Sequence, residues 1–166
     1  IAMVTLKAKA APALIDALKI PDSRRKLALS TLRQLGPDAK SALPALIDLS
    51  KEKDVTIRRD VMTCIVAIGA EAKPAAPTLV ELLRDPDPQV RVDAESALVK
   101  IGPDAIPHVS VALAKTDDLT RWLPVMRILL RLQPRDQPLH SSIAQVLTKH
   151  LGDNYAPLRL SAIRAV

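Results

Sequence analysis

The chain repeats itself at a period of about thirty-three residues, and this periodicity constrains its fold more than any local signal does. Pro12-Ala13-Leu14-Ile15 returns as Pro44-Ala45-Leu46-Ile47, as Pro77-Thr78-Leu79-Val80 and, weakly, as Pro107-His108-Val109-Ser110, with spacings of 32, 33 and 30. A second marker runs beside it. Leu35-Gly36-Pro37-Asp38-Ala39 is followed one period on by Ile68-Gly69-Ala70-Glu71-Ala72, and one period further by Ile101-Gly102-Pro103-Asp104-Ala105; Leu132-Gln133-Pro134-Arg135 continues the series slightly early, without the glycine. Self-similarity at such a period is the mark of stacked supersecondary units that share one continuous core. A unit of this length holds two helices and two turns.

Within a unit, the first helix opens on the proline signature. Pro44, Ala45, Leu46, Ile47 and Leu49 form an apolar face that ends near Ser50, and Pro suits an opening helical turn because its missing N–H has no partner there. In the third unit the turn is Arg84-Asp85-Pro86-Asp87-Pro88, which places Asp87 as N-cap and Pro88 at the first helical position. The second helix then shows helical spacing: Val90, Ala94, Ala97, Leu98 and Ile101 share a face, as do Ile57, Val61, Cys64, Ile65 and Ile68 one unit earlier. Glycine after the first three second helices, Gly36, Gly69 and Gly102, predicts a left-handed C′ residue. In the fourth unit the core face is Val125, Ile128, Leu129 and Leu132, with Pro124 in the early turns of the helix. The fifth lengthens its turn to His150–Pro157 before Leu158-Arg159-Leu160.

Composition agrees with closely packed helices. Apolar residues make up 48% of the chain but aromatics only 1%, with no Phe and with Trp122 and Tyr155 alone. A core of Ala, Leu, Ile and Val reaches high density where helices approach closely. The four glycines, Gly36, Gly69, Gly102 and Gly152, are too far apart for a phosphate-binding loop, and one Cys excludes an internal disulfide framework or a multi-Cys zinc site. The uncharged stretch Val61 to Ala70 has ten residues, short of the ~20 that a membrane helix needs.

The Pro-Ala-Leu helix opening, the Asp-x-x-x-Arg at Asp54/Arg58 and Asp87/Arg91, and the Gly-Pro-Asp-Ala linker together resemble the HEAT repeat family, closest in its short HEAT-like form also found in phycobilisome lyase subunits. The resemblance covers nearly the whole chain. It implies an all-α fold, a right-handed α-solenoid (alpha-alpha superhelix) of about five two-helix repeats. The expected divisions are 1–11 as the end of a preceding repeat, 12–43, 44–76, 77–106 and 107–137 as repeats, and 138–166 as a repeat cut within its second helix. Because the chain opens on Ile1 and stops at Val166 midway through an apolar face, it is expected to be a segment of a longer array with flanking repeats or domains.

Arginine forms the most regular polar column: Arg25, Arg58, Arg91 and Arg159. One reading pairs each with the acid capping its own helix, Asp54 with Arg58 and Asp87 with Arg91 at i,i+4, and with the neighbouring repeat as a ladder of the kind the resemblance implies. The other has the column line a groove of second helices and bind an acidic segment. Arg24, Lys26, Arg33 and Arg59 enlarge the positive area beyond what a ladder uses. Trp122 near the start of a second helix, and Tyr155 in the long loop, are either local packing or interface contacts. Arg127, Arg131 and Arg135 share one helix face, read as a solvated surface or as a phosphate-tracking stripe.

No catalytic set is left over. His108, His140 and His150 have no acidic residue at metal-ligand spacing, and Cys64 holds the core slot that Ala97 fills one unit later. The expectation is therefore a non-catalytic protein–protein interaction scaffold, with no cofactor, no metal and no membrane insertion. Its candidate contacts are Arg25, Lys26, Arg58, Arg59, Arg91, Trp122 and Tyr155, and its partner a protein with an acidic segment. The alternative is DNA binding through basic second-helix faces, which the net charge of +6 permits without demanding. A soluble setting is expected, with the cytoplasm favoured.

Overall fold

A computed structural model of the chain describes residues 11–114 together with 127–129, 131 and 132. Every regular element among them is helical. Residues 11–18 form α1, followed by α2 (Ser23–Leu35), α3 (Leu43–Leu49), α4 (Val55–Ile68), α5 (Ala76–Leu82), α6 (Pro88–Ile101) and α7 (Ile106–Ala114). The chain divides into two compact units, Ile1–Ile101 and Gly102–Val166.

In the first unit the second helices α2, α4 and α6 stack side by side, with α4 packed against both of the others, and α3 and α5 packed against α4 and α6 in turn. The central place of α4 explains its burial. Ile57, Val61, Cys64, Ile65 and Ile68 are buried as their spacing predicts, and Met62, outside that stripe, is fully buried too, because α4 has a neighbour on each side. On α6 the buried set is Val90, Ala94, Ala97, Leu98 and Ile101, the face read from the sequence.

The linkers that open on Gly36 and Gly69 are not simple turns. They are 3₁₀ helices, Gly36–Ala42 and Gly69–Ala75, packed against each other and against α4. A 3₁₀ helix repeats every three residues, so Ala39 with Ala42, and Ala72 with Ala75, fall on one side and are all fully buried. The glycine that opens each one has a positive φ but not the left-handed helical geometry expected. Gly36 has φ 56° and ψ −127°, Gly69 φ 68° and ψ −132°. This is the geometry of the first central residue of a type II′ turn, which glycine alone adopts readily. It satisfies the end of α2, since the Gly36 N–H donates to the carbonyls of Arg33 and Leu32, while the chain re-enters helical geometry at once.

The prolines act as the sequence predicts. Pro44 and Pro77 are the second residues of α3 and α5, and Pro88 the first of α6. In the second unit, the 3₁₀ turn Gly102–Ala105 packs against α7; Ala105, Ile106 and Val109 are buried there, as are Ile128, Leu129 and Leu132. No helix of the described residues is long and apolar enough to cross a membrane.

Candidate functional site

Two surfaces of the second helices carry the charged residues singled out by sequence. The first is the edge where the turns enter α2, α4 and α6. Asp22, Asp54 and Asp87 cap these helices through their carboxylates, which accept from the N–H groups of Arg24, of Thr56, and of Gln89 and Val90. Each capping carboxylate is held below the usual carboxylate range. For Asp22 the first cause is the side-chain hydrogen bond from Arg24; for Asp54 it is the Thr56 N–H; for Asp87 the Arg59 guanidinium brings the pKa down to about 2.

The i,i+4 pairing expected for the arginine column is not what forms. Arg58 Nε donates to Asp85 Oδ2 at 2.8 Å and its Nη2 to Asp85 Oδ1 at 3.0 Å, a two-pronged contact with the residue 27 positions on, while its Nη1 donates to the carbonyls of Glu52 and Lys53. Asp54 is occupied as a cap and Asp87 by Arg59, whose Nε and Nη2 donate to it at 3.0 and 2.6 Å. Arg91 repeats the carbonyl clamp on its own turn, donating to the carbonyls of Asp85 and Pro86. Arg25 donates to the Leu18 carbonyl and lies 3.7 Å from Glu52, again in the turn of the next repeat. The physical reason is reach. The turn of the next repeat, not that of the arginine's own helix, offers the guanidinium a carboxylate in fork geometry, and capping does not prevent this, since Asp87 caps α6 and takes the Arg59 fork as well.

These arginines are therefore largely spent within the fold. The Arg58 and Asp85 side chains are only 11% and 5% exposed, and Arg25 is 12% exposed. Asp85 also accepts the Asp87 N–H, which completes its coordination. Arg24, expected to extend the positive area, folds back on Asp22 at 2.7 Å. A wider hollow at this edge, of about 340 Å³, is lined by turn residues that include Arg58 and Asp85, already paired with each other.

The second surface is the exposed face across α2, α4 and α6. Between α2 and α4 lies a cleft of about 120 Å³ lined by Lys26, Leu29, Ser30 and Arg33 from α2 and by Asp60 and Thr63 from α4. The Thr63 hydroxyl donates to the Asp60 carbonyl. Among the described residues, neither Lys26 nor Arg33 makes an ion pair within 4 Å, and both are exposed. They are two turns apart along one line of α2, so their charged ends flank Ser30. Sequence reasoning named Lys26 and Arg33 but missed Ser30 and Thr63. The recurrence of a hydroxyl residue once per period, as Ser30, Thr63 and Ser96, was the available signal.

Cys64 is buried, and its thiol donates to the Leu29 carbonyl of α2 at 3.1 Å. Burial pushes its pKa up to about 12. Arg127 and Arg131 are exposed on helical residues. Trp122, Arg135, Tyr155 and Arg159 lie outside the described residues.

No family model matches the chain, and none of the curated proteins matches it. Among solved structures it is similar to the crystal structure of an engineered protein, with a TM-score of 0.53 and 23% sequence identity over 95% of this chain and 82% of that one. At that identity the likeness concerns the fold alone.

Proposed function

We propose that this chain is a non-catalytic interaction module, a right-handed α-solenoid of HEAT-like repeats, which binds an acidic segment of a protein partner across the exposed faces of α2 and α4. The observation that carries this reading is a separation of roles among the cations. Arg25, Arg58 and Arg59 hold turns and repeats together, whereas Lys26 and Arg33 flank a polar cleft without an ion pair among the described residues. A side chain that brings a carboxylate to this cleft meets two cations and the Ser30 hydroxyl on α2, with Asp60 on the α4 side and the Thr63 hydroxyl already donated to the Asp60 carbonyl.

DNA binding fits this face less well. A phosphate-tracking surface needs positive potential to continue from helix to helix. Here α2 carries four basic residues and no acidic one, α4 two basic and one acidic, and α6 two of each, so the positive field fades along the stack. Asp60 and Asp93, both half-buried, interrupt it at matching positions of α4 and α6.

The test compares a fluorescein-labelled peptide of alternating Glu and Ser with a short duplex DNA, each across a salt series, on the wild-type chain and on Lys26→Glu/Arg33→Glu. The peptide is expected to bind at low ionic strength, to weaken with salt, and to be lost in the double variant while the unfolding transition is unchanged. Duplex DNA that binds more tightly, with a steep salt dependence, would move the assignment to nucleic acid. If neither ligand binds, the surface is not a binding site.

A further inference from the structure

Asp60 brings a negative charge to the wall of a cleft read above as a carboxylate site. It is half-buried on α4, facing the cleft that Lys26, Ser30 and Arg33 line from α2. Among the described residues its carboxylate accepts no hydrogen bond and joins no ion pair. The nearby donors are engaged elsewhere. Thr63 gives its hydroxyl to the Asp60 carbonyl, not to the carboxylate. Arg58 and Arg59, its neighbours in sequence, are forked onto Asp85 and Asp87. At the matching position of α6 the same residue type is satisfied: Asp93 Oδ1 accepts from Gln89 Nε2, one helical turn earlier, at 3.0 Å. On α4 that earlier position holds Thr56, and no such bond forms. The repeated carboxylate is closed off on α6 and open in the cleft.

We infer that the cleft selects a segment of mixed charge, with an acidic and a basic residue two positions apart, the acid meeting Lys26 and Arg33 and the base meeting Asp60. This rests on the reading of the α2/α4 cleft as a carboxylate site and sets its specificity. A uniformly acidic segment laid over the cleft brings like charge to Asp60 and strips water from an unpaired carboxylate, and both are unfavourable. A Lys or Arg at that point supplies the donors that Asp60 lacks, so the same desolvation accompanies a charge-assisted contact. An extended chain suits the span. Packed helices are about 8–10 Å apart, and side chains two residues apart on an extended chain point the same way at a separation of about 7 Å, so one acid and one base bridge α2 and α4.

The experiment measures three fluorescein-labelled peptides of equal length, repeating Glu-Ser, Glu-Ser-Lys-Ser and Lys-Ser, at about 0.15 M salt, where the Debye length is about 8 Å and long-range attraction is largely screened. The proteins are the wild-type chain, Asp60→Asn and Lys26→Glu/Arg33→Glu, each checked for an unchanged unfolding transition. The mixed peptide is expected to bind the wild-type chain about threefold more tightly than Glu-Ser, although its repeat carries no net charge, and Lys-Ser is expected not to bind. Asp60→Asn should reverse the order, weakening the mixed peptide about fivefold and strengthening Glu-Ser about threefold. Lys26→Glu/Arg33→Glu should abolish binding of both. If Glu-Ser binds the wild-type chain more tightly than the mixed peptide, or if Asp60→Asn leaves the ranking unchanged, the mixed-charge segment is overturned, and loss of Glu-Ser binding in Lys26→Glu/Arg33→Glu would still leave the carboxylate site standing. Binding of neither peptide, or binding indifferent to Lys26 and Arg33, would overturn both.

Discussion

Asp85 and Glu52 occupy the same position in successive repeats, yet their environments differ enough to separate their energetics. Asp85 is 5% exposed and receives two hydrogen bonds from Arg58, whereas Glu52 is 45% exposed and lies 3.7 Å from Arg25. Asp85→Asn leaves a nearly buried guanidinium without its charge partner and is expected to cost about 2–3 kcal/mol in urea unfolding. Glu52→Gln, at a screened and loosely formed pair, is expected to stay within about 0.5 kcal/mol. Asp87 sets a pH dependence. Its pKa in the folded chain, about 2, is below the 3.8 of a free aspartate, so it stabilises the fold above pH 4 and this contribution is lost as pH falls from about 4 to about 2. In Asp87→Asn the cap survives and that part of the stability-versus-pH curve should flatten. Cys64, with its thiol raised to about 12 and buried against Leu29, should resist a thiol reagent at pH 8 in the native chain and react promptly in urea.

At the scale of the element, the junction between a second helix and the next repeat depends on one backbone conformation. A Cβ added at Gly69 meets nothing within 4 Å, so the only penalty there is conformational. Gly69→Ala is therefore expected to destabilise by about 1–3 kcal/mol, and Gly69→Asn to recover little of it, because ψ of −132° lies away from the left-handed helical region that Asn tolerates. Thermal unfolding of the two variants would check both. At Gly36 the added Cβ stands 3.4 Å from the Ala67 carbonyl oxygen, ordinary contact distance, and the same argument holds. The sequence announced that glycine was needed, since it recurs with the period. It did not announce the II′-type geometry, because a left-handed cap and a II′ corner both call for glycine, and which one forms depends on the 3₁₀ helix that follows and packs its alanines against α4.

At the scale of the first compact unit, neighbouring second helices are coupled through adjacent contacts, α2 with α4 and α4 with α6, which makes the effect of a broken rung local. In Asp85→Asn, amide hydrogen exchange is expected to accelerate in α6 and at the α5–α6 turn, with α2 protected as before. Uniform acceleration would mean that the unit opens as a whole. The sequence by itself determined the helical class, the repeat length, the apolar stripes of α4 and α6, and the capping roles of Asp54 and Asp87, because periodicity, capping and proline placement act within a few residues of chain. It also supplied the column Arg25/Arg58, but not its partners Glu52 and Asp85. That pairing, the full burial of Met62, the pairing of Arg59 with Asp87, and the meeting of Lys26 and Arg33 with Asp60 and Thr63 in one cleft were decided only by tertiary structure. They depend on how closely one repeat stacks on the next and on which carboxylate that stacking brings into reach of each guanidinium, and both are set by contacts between residues about one repeat apart in the chain.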